Sequence, residues 1–361
     1  MIFVVAGDET HRHEVKQALL SYYNVIEFDT STAMFTGLKE VHPALIIIAE
    51  KTPPRDGFEC TRELRTKRDT NDIPILIILD SDSPVKAFAA AECRANKWLA
   101  KPYLRSLLIK TISGMLNFAV EREWEALPPI QARALKETVE TFNSIADNIA
   151  AGTPISYKEV TNACIPLIEA VHSGNFSGIL EGVKHHDNYT YVHSLRVATM
   201  LTLFGHVINL PPNEQKLLTA GGLLHDVGKM TIPHSVLNKP GKLHIDEFAV
   251  MKGHVTASVH QLELTENLPR GIITIAGQHH EKLDGTGYPY GLQGTELNEL
   301  ARMASIVDIF SALTDRRCYK DPMLPEEALA IMIDQMGRQI DIRMLNMFRE
   351  RFLDALSSIG S

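Results

Sequence analysis

His193, the pair His225-Asp226, His254, the pair His279-His280 and Asp308 are five imidazoles and two carboxylates. They are strung through a region whose apolar residues recur with helical period. For them to act together, the fold must bring distant helices to one point. A single metal rarely takes this many protein ligands, whereas two neighbouring metals do. This requirement constrains the chain more than any other feature. Residues from about 155 onward carry almost no strand signal and read as an all-helical domain built around such a centre.

The N-terminal third has a different texture. Ile2 to Val5, Ala44 to Ile48 and Ile75 to Leu79 are short aliphatic runs. They suit strands of a parallel sheet buried on both faces. Helix-like segments lie between them, around His13 to Tyr22 and Gly57 to Lys67. The expected fold is therefore multidomain, a doubly wound α/β domain followed by an all-α bundle. The expected boundaries are 1–102 for the first domain, 103–154 for a helical linker and 155–361 for the helical domain. In the linker, Leu108, Ile112, Met115 and Ala119 recur at helical spacing, as do Leu135, Val139, Phe142, Ala146 and Ile149, with a break at Leu127-Pro128-Pro129. These stripes fit packing within their own domains or a homodimer formed through the linker.

A net charge of -8 argues against broad binding to a nucleic-acid polymer, which needs many cationic side chains. A small anionic substrate stays compatible, because metals supply local positive charge. Cys60, Cys93, Cys164 and Cys318 form no CxxC pair and imply neither a disulfide framework nor a thiolate metal site. No apolar run suits a signal peptide or a bilayer span, so a soluble, cytoplasmic chain with no membrane partner is expected.

Adjacent His225 and Asp226 offer a neutral nitrogen and an anionic oxygen to neighbouring metals, with Asp226 the natural bridge. His193 and Asp308 would complete one shell with this pair; His254, His279 and His280 would complete the other. Nitrogen-rich ligands with hard carboxylates and no thiolate suit iron, manganese or zinc better than calcium or magnesium. Lys229, four residues after His225, shares a helical face with it and is assigned to a scissile phosphate. His11, His42, His172, His206, His234, His244 and His260 read as structural or exposed, and His185 and His186 as surface histidines.

Residues 155 to 350 resemble the HD-GYP family of cyclic di-GMP phosphodiesterases. The resemblance rests on Asp187 to Ser194, His225-Asp226-Val227-Gly228-Lys229, His254, His279 to Pro289, and Asp308 followed by Arg317 and Lys320. It implies a two-metal hydrolase, with iron favoured and manganese the alternative, that opens cyclic di-GMP to pGpG and could continue to GMP. By this resemblance Asp187 helps orient the attacking water, while Arg317, Lys320 and Tyr288 join Lys229 as substrate contacts. Arg316, beside Arg317, reads as exposed. The segment Asp284 to Pro289 is a loop holding the histidines, a lid, or a contact for a diguanylate cyclase domain. Tyr189 stands where some members carry a third-metal glutamate, so two metals are expected. The alternative function is a cyclic di-GMP receptor that binds with little turnover.

The first 100 residues resemble a response-regulator receiver domain, through Asp8-Glu9, Pro53, Asp56-Gly57 and Lys101-Pro102. The resemblance places the phosphoacceptor at position 49, which is Ala49. An alanine has no nucleophilic oxygen. A pseudo-receiver is expected, with Leu79-Asp80-Ser81 where a Thr or Ser belongs. Glu50 is expected to point to the other side of its strand.

Overall fold

The computed structural model describes every residue except Ser21, Pro240, 316–322 and 358–361. It forms two compact units: Met1–Ala119, and Val120–Ile232 together with Val236–Ser361.

The first unit alternates β1 (Ile2–Val5), α1 (Glu9–Leu19), β2 (Val25–Phe28), α2 (Ser31–Gly37), β3 (Leu45–Ala49), α3 (Gly57–Thr66), β4 (Ile75–Leu79), α4 (Pro84–Glu92), β5 (Lys97–Ala100) and α5 (Arg105–Glu123). The strands form one parallel sheet in the order β2-β1-β3-β4-β5. Strand side chains alternate faces. Ile2, Val4, Leu45, Ile47, Leu76 and Ile78 pack with Val15 and Leu19 of α1 and Leu108 and Ile112 of α5. Phe3, Val5, Ile46, Ile48, Ile75 and Ile77 pack on the other side with Met34, Cys60, Leu64 and Ala90. Burial on both faces explains why β1, β3 and β4 are unbroken aliphatic runs.

The C-terminal end of this sheet carries a charged network. Ala49 is the last residue of β3, and Glu50 follows it. Glu50 Oε2 accepts from the Asp80 amide at 2.9 Å and from Lys86 Nζ at 2.8 Å. Glu50 thus reaches α4, which packs on the Ile46 and Ile48 face, the side opposite Ala49 that strand alternation leads one to expect. Asp80 in turn meets Lys51 at 2.8 Å and Lys101 at 3.8 Å, and the Lys51 ammonium holds its carboxyl below the usual range. Asp8 caps α1 by accepting from the Thr10 and His11 amides.

The described residues of the second unit are mostly helical: α6 (Pro129–Ala151), α7 (Tyr157–His172), α8 (Ser177–Gly182), α9 (Tyr189–Val207), α10 (Pro212–Leu224), α11 (His234–Leu237), α12 (Ile245–Glu263), α13 (Arg270–Gln278), α14 (Glu299–Thr314), α15 (Pro325–Met336) and α16 (Ile342–Ser357). A 3-10 turn at Trp124–Ala126 separates α5 from α6. Leu135, Val139, Phe142 and Ile145 of α6 are buried in the core shared with α7, α9 and α10, so the linker stripe downstream of Pro129 is core packing. A second core joins α9 to α14, α15 and α16. Helix α9 is the axis of the unit, buried around nearly its whole circumference.

Candidate metal centre and substrate cavity

Five elements deliver the seven predicted ligands. Helix α9 starts where Asn188 accepts from the Tyr191 amide at 3.1 Å, and His193 lies just over one turn inside it. Helix α10 ends at Leu224, leaving His225 as its C-cap and Asp226 in the sparsely populated bridge region at φ -109°, ψ 13°. A 3-10 turn over Val227–Thr231 then presses onto α12. A Cβ at Gly228 would sit 2.1 Å from the His254 carbonyl oxygen, so only glycine allows this approach. His254 comes from α12, His279 caps α13, His280 follows, and Asp308 comes from α14.

These side chains converge in two groups. Asp226, His254, His279 and His280 form one; His193, His225 and Asp308 form the other. Asp226 faces both. Its Oδ1 is 3.1 Å from His254 Nε2 and 3.6 Å from His279 Nε2. Its Oδ2 is 3.1 Å from His225 Nε2 and 3.3 Å from His193 Nε2. Asp308 Oδ1 is 2.9 Å from His193 Nε2, and its Oδ2 is 3.9 Å from His280 Nδ1.

The tautomers are set from behind. His225 Nδ1 donates to the Gly222 carbonyl at 2.7 Å, His254 Nδ1 to Met251 at 2.6 Å, and His279 Nδ1 to Ala276 at 2.9 Å. With the proton held on Nδ1, each Nε2 presents a lone pair to the centre. These Nε2 atoms, that of His193 and Asp226 Oδ1 are buried and make no hydrogen bond. Such a set of inward acceptors fits cations and little else.

Burial pushes the pKa values of His225, His254 and His280 down, keeping these rings neutral and ready to ligate. Burial opposes charge on His193 too, but the carboxylates of Asp226 and Asp308 outweigh it and raise its pKa. Burial likewise opposes charge on both carboxylates. The surrounding imidazoles, and Lys229 beside Asp226, overcome it and hold both carboxyls well below their usual range.

A cavity of about 390 Å³ opens beside the centre. Lys229, Tyr189, Tyr288, His254, His280 and Asp308 line its polar side. Lys229 Nζ is 2.5 Å from Asp226 Oδ2. Tyr288 stacks on His280 with centroids 4.8 Å apart, and its burial raises its phenol pKa. Asp187 is exposed next to the α9 N-cap and does not line this cavity. Arg316, Arg317 and Lys320 lie outside the described residues.

Two residues carry roles that sequence reasoning missed. Glu281 is buried, and its carboxylate accepts from the amides of Tyr290 at 2.5 Å, Gly291 at 3.1 Å and Leu292 at 3.0 Å. It pins the loop that carries Tyr288. The same loop crosses so closely that a Cβ at Gly287 would lie 2.4 Å from the Lys282 nitrogen. His186, expected at the surface, is buried instead. It stacks on Trp124 at 6.0 Å, accepts from the Asn188 amide at 3.2 Å and faces Glu121 at 3.4 Å. A tryptophan far upstream covers it, so no local sequence signal reveals its burial. His185, its neighbour, is exposed.

Comparison with known proteins agrees with this anatomy. Residues 182–344 match the HD domain family, and residues 2–113 match the response regulator receiver domain. The chain is 30% identical over 305 residues to the cyclic di-GMP phosphodiesterase response regulator RpfG of Xanthomonas campestris, covering 84% of this chain and 74% of that one. It is 35% identical over 175 residues to 3'3'-cGAMP-specific phosphodiesterase 2 of Vibrio cholerae, covering 48% of this chain and about a third (34%) of that relative. Among solved structures, Bd1817, an HD-GYP-type protein of Bdellovibrio bacteriovorus, shares the fold at a TM-score of 0.51 and 19% identity, over 68% of this chain and 80% of that one. No helix among the described residues is long and apolar enough to cross a membrane. The chain belongs to the HD-GYP family of HD-domain proteins and carries a response-regulator receiver domain at its N-terminus.

Proposed function

We propose that this protein hydrolyses cyclic di-GMP to pGpG at a centre of two divalent metal ions, iron by preference and manganese as the alternative. The observation that carries this reading is the division of Asp226, one carboxylate oxygen turned to each histidine group. His193, His225 and Asp308 would hold one ion with Asp226; His254, His279 and His280 would hold the other. When bound, such ions supply Lewis acidity toward the phosphate and lower the pKa of water at the site.

The chain's own residues do the rest. The carbonyls of Gly222, Met251 and Ala276 keep three imidazoles aimed inward. Lys229, on the cavity wall, meets a nonbridging oxygen of the scissile phosphate and offsets charge that grows there during in-line attack. Tyr288, held against His280 by the loop that Glu281 pins, bounds the substrate on the opposite side. Asp187 is assigned to water orientation on resemblance alone.

We read residues 1–102 as a receiver that aspartyl phosphate does not switch, since Ala49 ends β3 and Glu50 is already paired with Lys86. Residues 103–154 lead from it to the catalytic domain, 155–361, and α6 within them packs into the helical core.

The test is anaerobic purification, metal analysis and chromatography of the products from cyclic di-GMP. Two metals per chain with pGpG formed supports the proposal. Tight binding without product favours a receptor, and faster turnover of a mixed GMP-AMP ring reassigns the substrate.

A further inference from the structure

The lining of the cavity also includes Val236, Leu237, Leu243, Met251 and Phe248, with Lys239 among them. Phe248 stands out in that lining. It is a large aromatic left 46% exposed, so core packing does not account for it. It belongs to the same helix as His254, one turn before Met251, and faces the cavity. Its ring is edge-on to Tyr288, with centroids 6.2 Å apart and planes at 81°. Tyr288 in turn stacks on His280. The three rings make a path from the cavity mouth to the candidate metal centre. Lys252 extends along the same rim, its Nζ 5.3 Å from the Phe248 ring centroid and 5.9 Å from that of Tyr288.

A cavity that combines anion-binding groups at the candidate metal centre with aromatic faces leading away from it selects an amphipathic ligand. One end must carry phosphate, and the other a flat ring with two apolar faces. A nucleotide has this form, with a ribose to bridge the two. We propose that Phe248 is the platform on which a purine base of the substrate stacks while its phosphate lies against Lys229. Lys252 adds a cation over that platform, where it meets the carbonyl edge of the base or the second phosphate. This inference rests on the cyclic dinucleotide reading given above and deepens it by naming the residue that recognises the base.

The experiment compares Phe248→Leu and Phe248→Trp with the parent, following KM and kcat for cyclic di-GMP and metal per chain. Leucine keeps the apolar bulk and removes the ring. Base–aromatic stacking is strong enough for its loss to raise KM about ten-fold. The expected result is that rise in Phe248→Leu, with kcat and metal content at parental values, and a KM within about two-fold of the parent in Phe248→Trp. A parental KM in Phe248→Leu overturns the proposal. So does loss of metal in both variants, because Phe248 then merely supports α12. A parent chain that neither binds nor cleaves any cyclic dinucleotide refutes the functional reading itself, a result distinct from either of these.

Discussion

Replacing Glu281 by alanine should release the loop that bounds the cavity beside the candidate metal centre. The Glu281 carboxylate takes three backbone donors, from Tyr290, Gly291 and Leu292, and is buried while doing so. Hydrogen bonds to a charged acceptor contribute about 1.5–3 kcal/mol each when donor and acceptor are both shielded. Tyr290 is 59% exposed, so water reaches its donor as soon as the loop opens, and about 1 kcal/mol per bond is the better figure. The three together give about 3 kcal/mol of local stability. At 1.4 kcal/mol per factor of ten, exchange of these three amides with solvent should accelerate about a hundred-fold in Glu281→Ala. Glu281→Gln keeps one carbonyl acceptor and turns an amide N–H toward the remaining donors, so an intermediate acceleration is expected. The assay is residue-resolved hydrogen exchange at fixed pH, with amides of α9 as the internal standard. Because Glu281 follows His279 and His280 directly, metal affinity should also fall, by about 10–100-fold. Unchanged protection of Tyr290, Gly291 and Leu292 in Glu281→Ala would refute the argument.

Other consequences are open to direct measurement. Asp226→Asn removes an oxygen from one of the two ligand groups; metal per chain should fall below one and turnover by at least about a thousand-fold, and full metal content in that variant would contradict the shared role of Asp226. Gly228→Ala drives a methyl toward the His254 carbonyl oxygen, which should cost about 1–3 kcal/mol of stability and displace Asp226 from His254; an unchanged melting temperature would show that the turn yields freely. Metal-free protein should lose stability as pH falls below 6.5, the unfolded value, toward the depressed values of His225, His254 and His280, because the unfolded chain binds the extra protons there. His193, whose pKa is raised, works in the opposite sense over the window above 6.5. Thermal melts of the metal-free protein across pH 5 to 8 read the balance, and a melting temperature that rises as the pH falls below 6.5 would reverse the sign.

The candidate ligands were legible in the sequence because few side chains do their work. A histidine–aspartate pair, a histidine pair, two lone histidines and an aspartate spaced through a helical region have few explanations together, and the fold needed only to bring these stations to one point. The buried strands β1, β3 and β4 were legible for a similar reason, since a strand covered on both faces is aliphatic throughout. Strand β5 was not, because Lys97 and Trp98 are exposed and break the pattern. Strand β2, with Glu27 in a run of four residues, was equally obscure. Glu281 was overlooked because its partners are backbone amides nine to eleven residues later, and any sequence supplies those. His186 and Phe248 mislead in opposite directions. A polar ring is buried because Trp124 covers it, and an apolar ring is exposed because it faces a cavity. Burial of this kind is a property of the assembled helices and leaves no periodic trace.

The proposed chemistry requires Asp226 to lie between two cations. Crystals of the anaerobically prepared, iron-loaded protein, with diffraction recorded above and below the iron absorption edge, test this directly. Two anomalous peaks are predicted, one among His193, His225 and Asp308, the other among His254, His279 and His280, with the Asp226 carboxylate touching both. A single peak at full loading, or two peaks of which Asp226 touches only one, would contradict it.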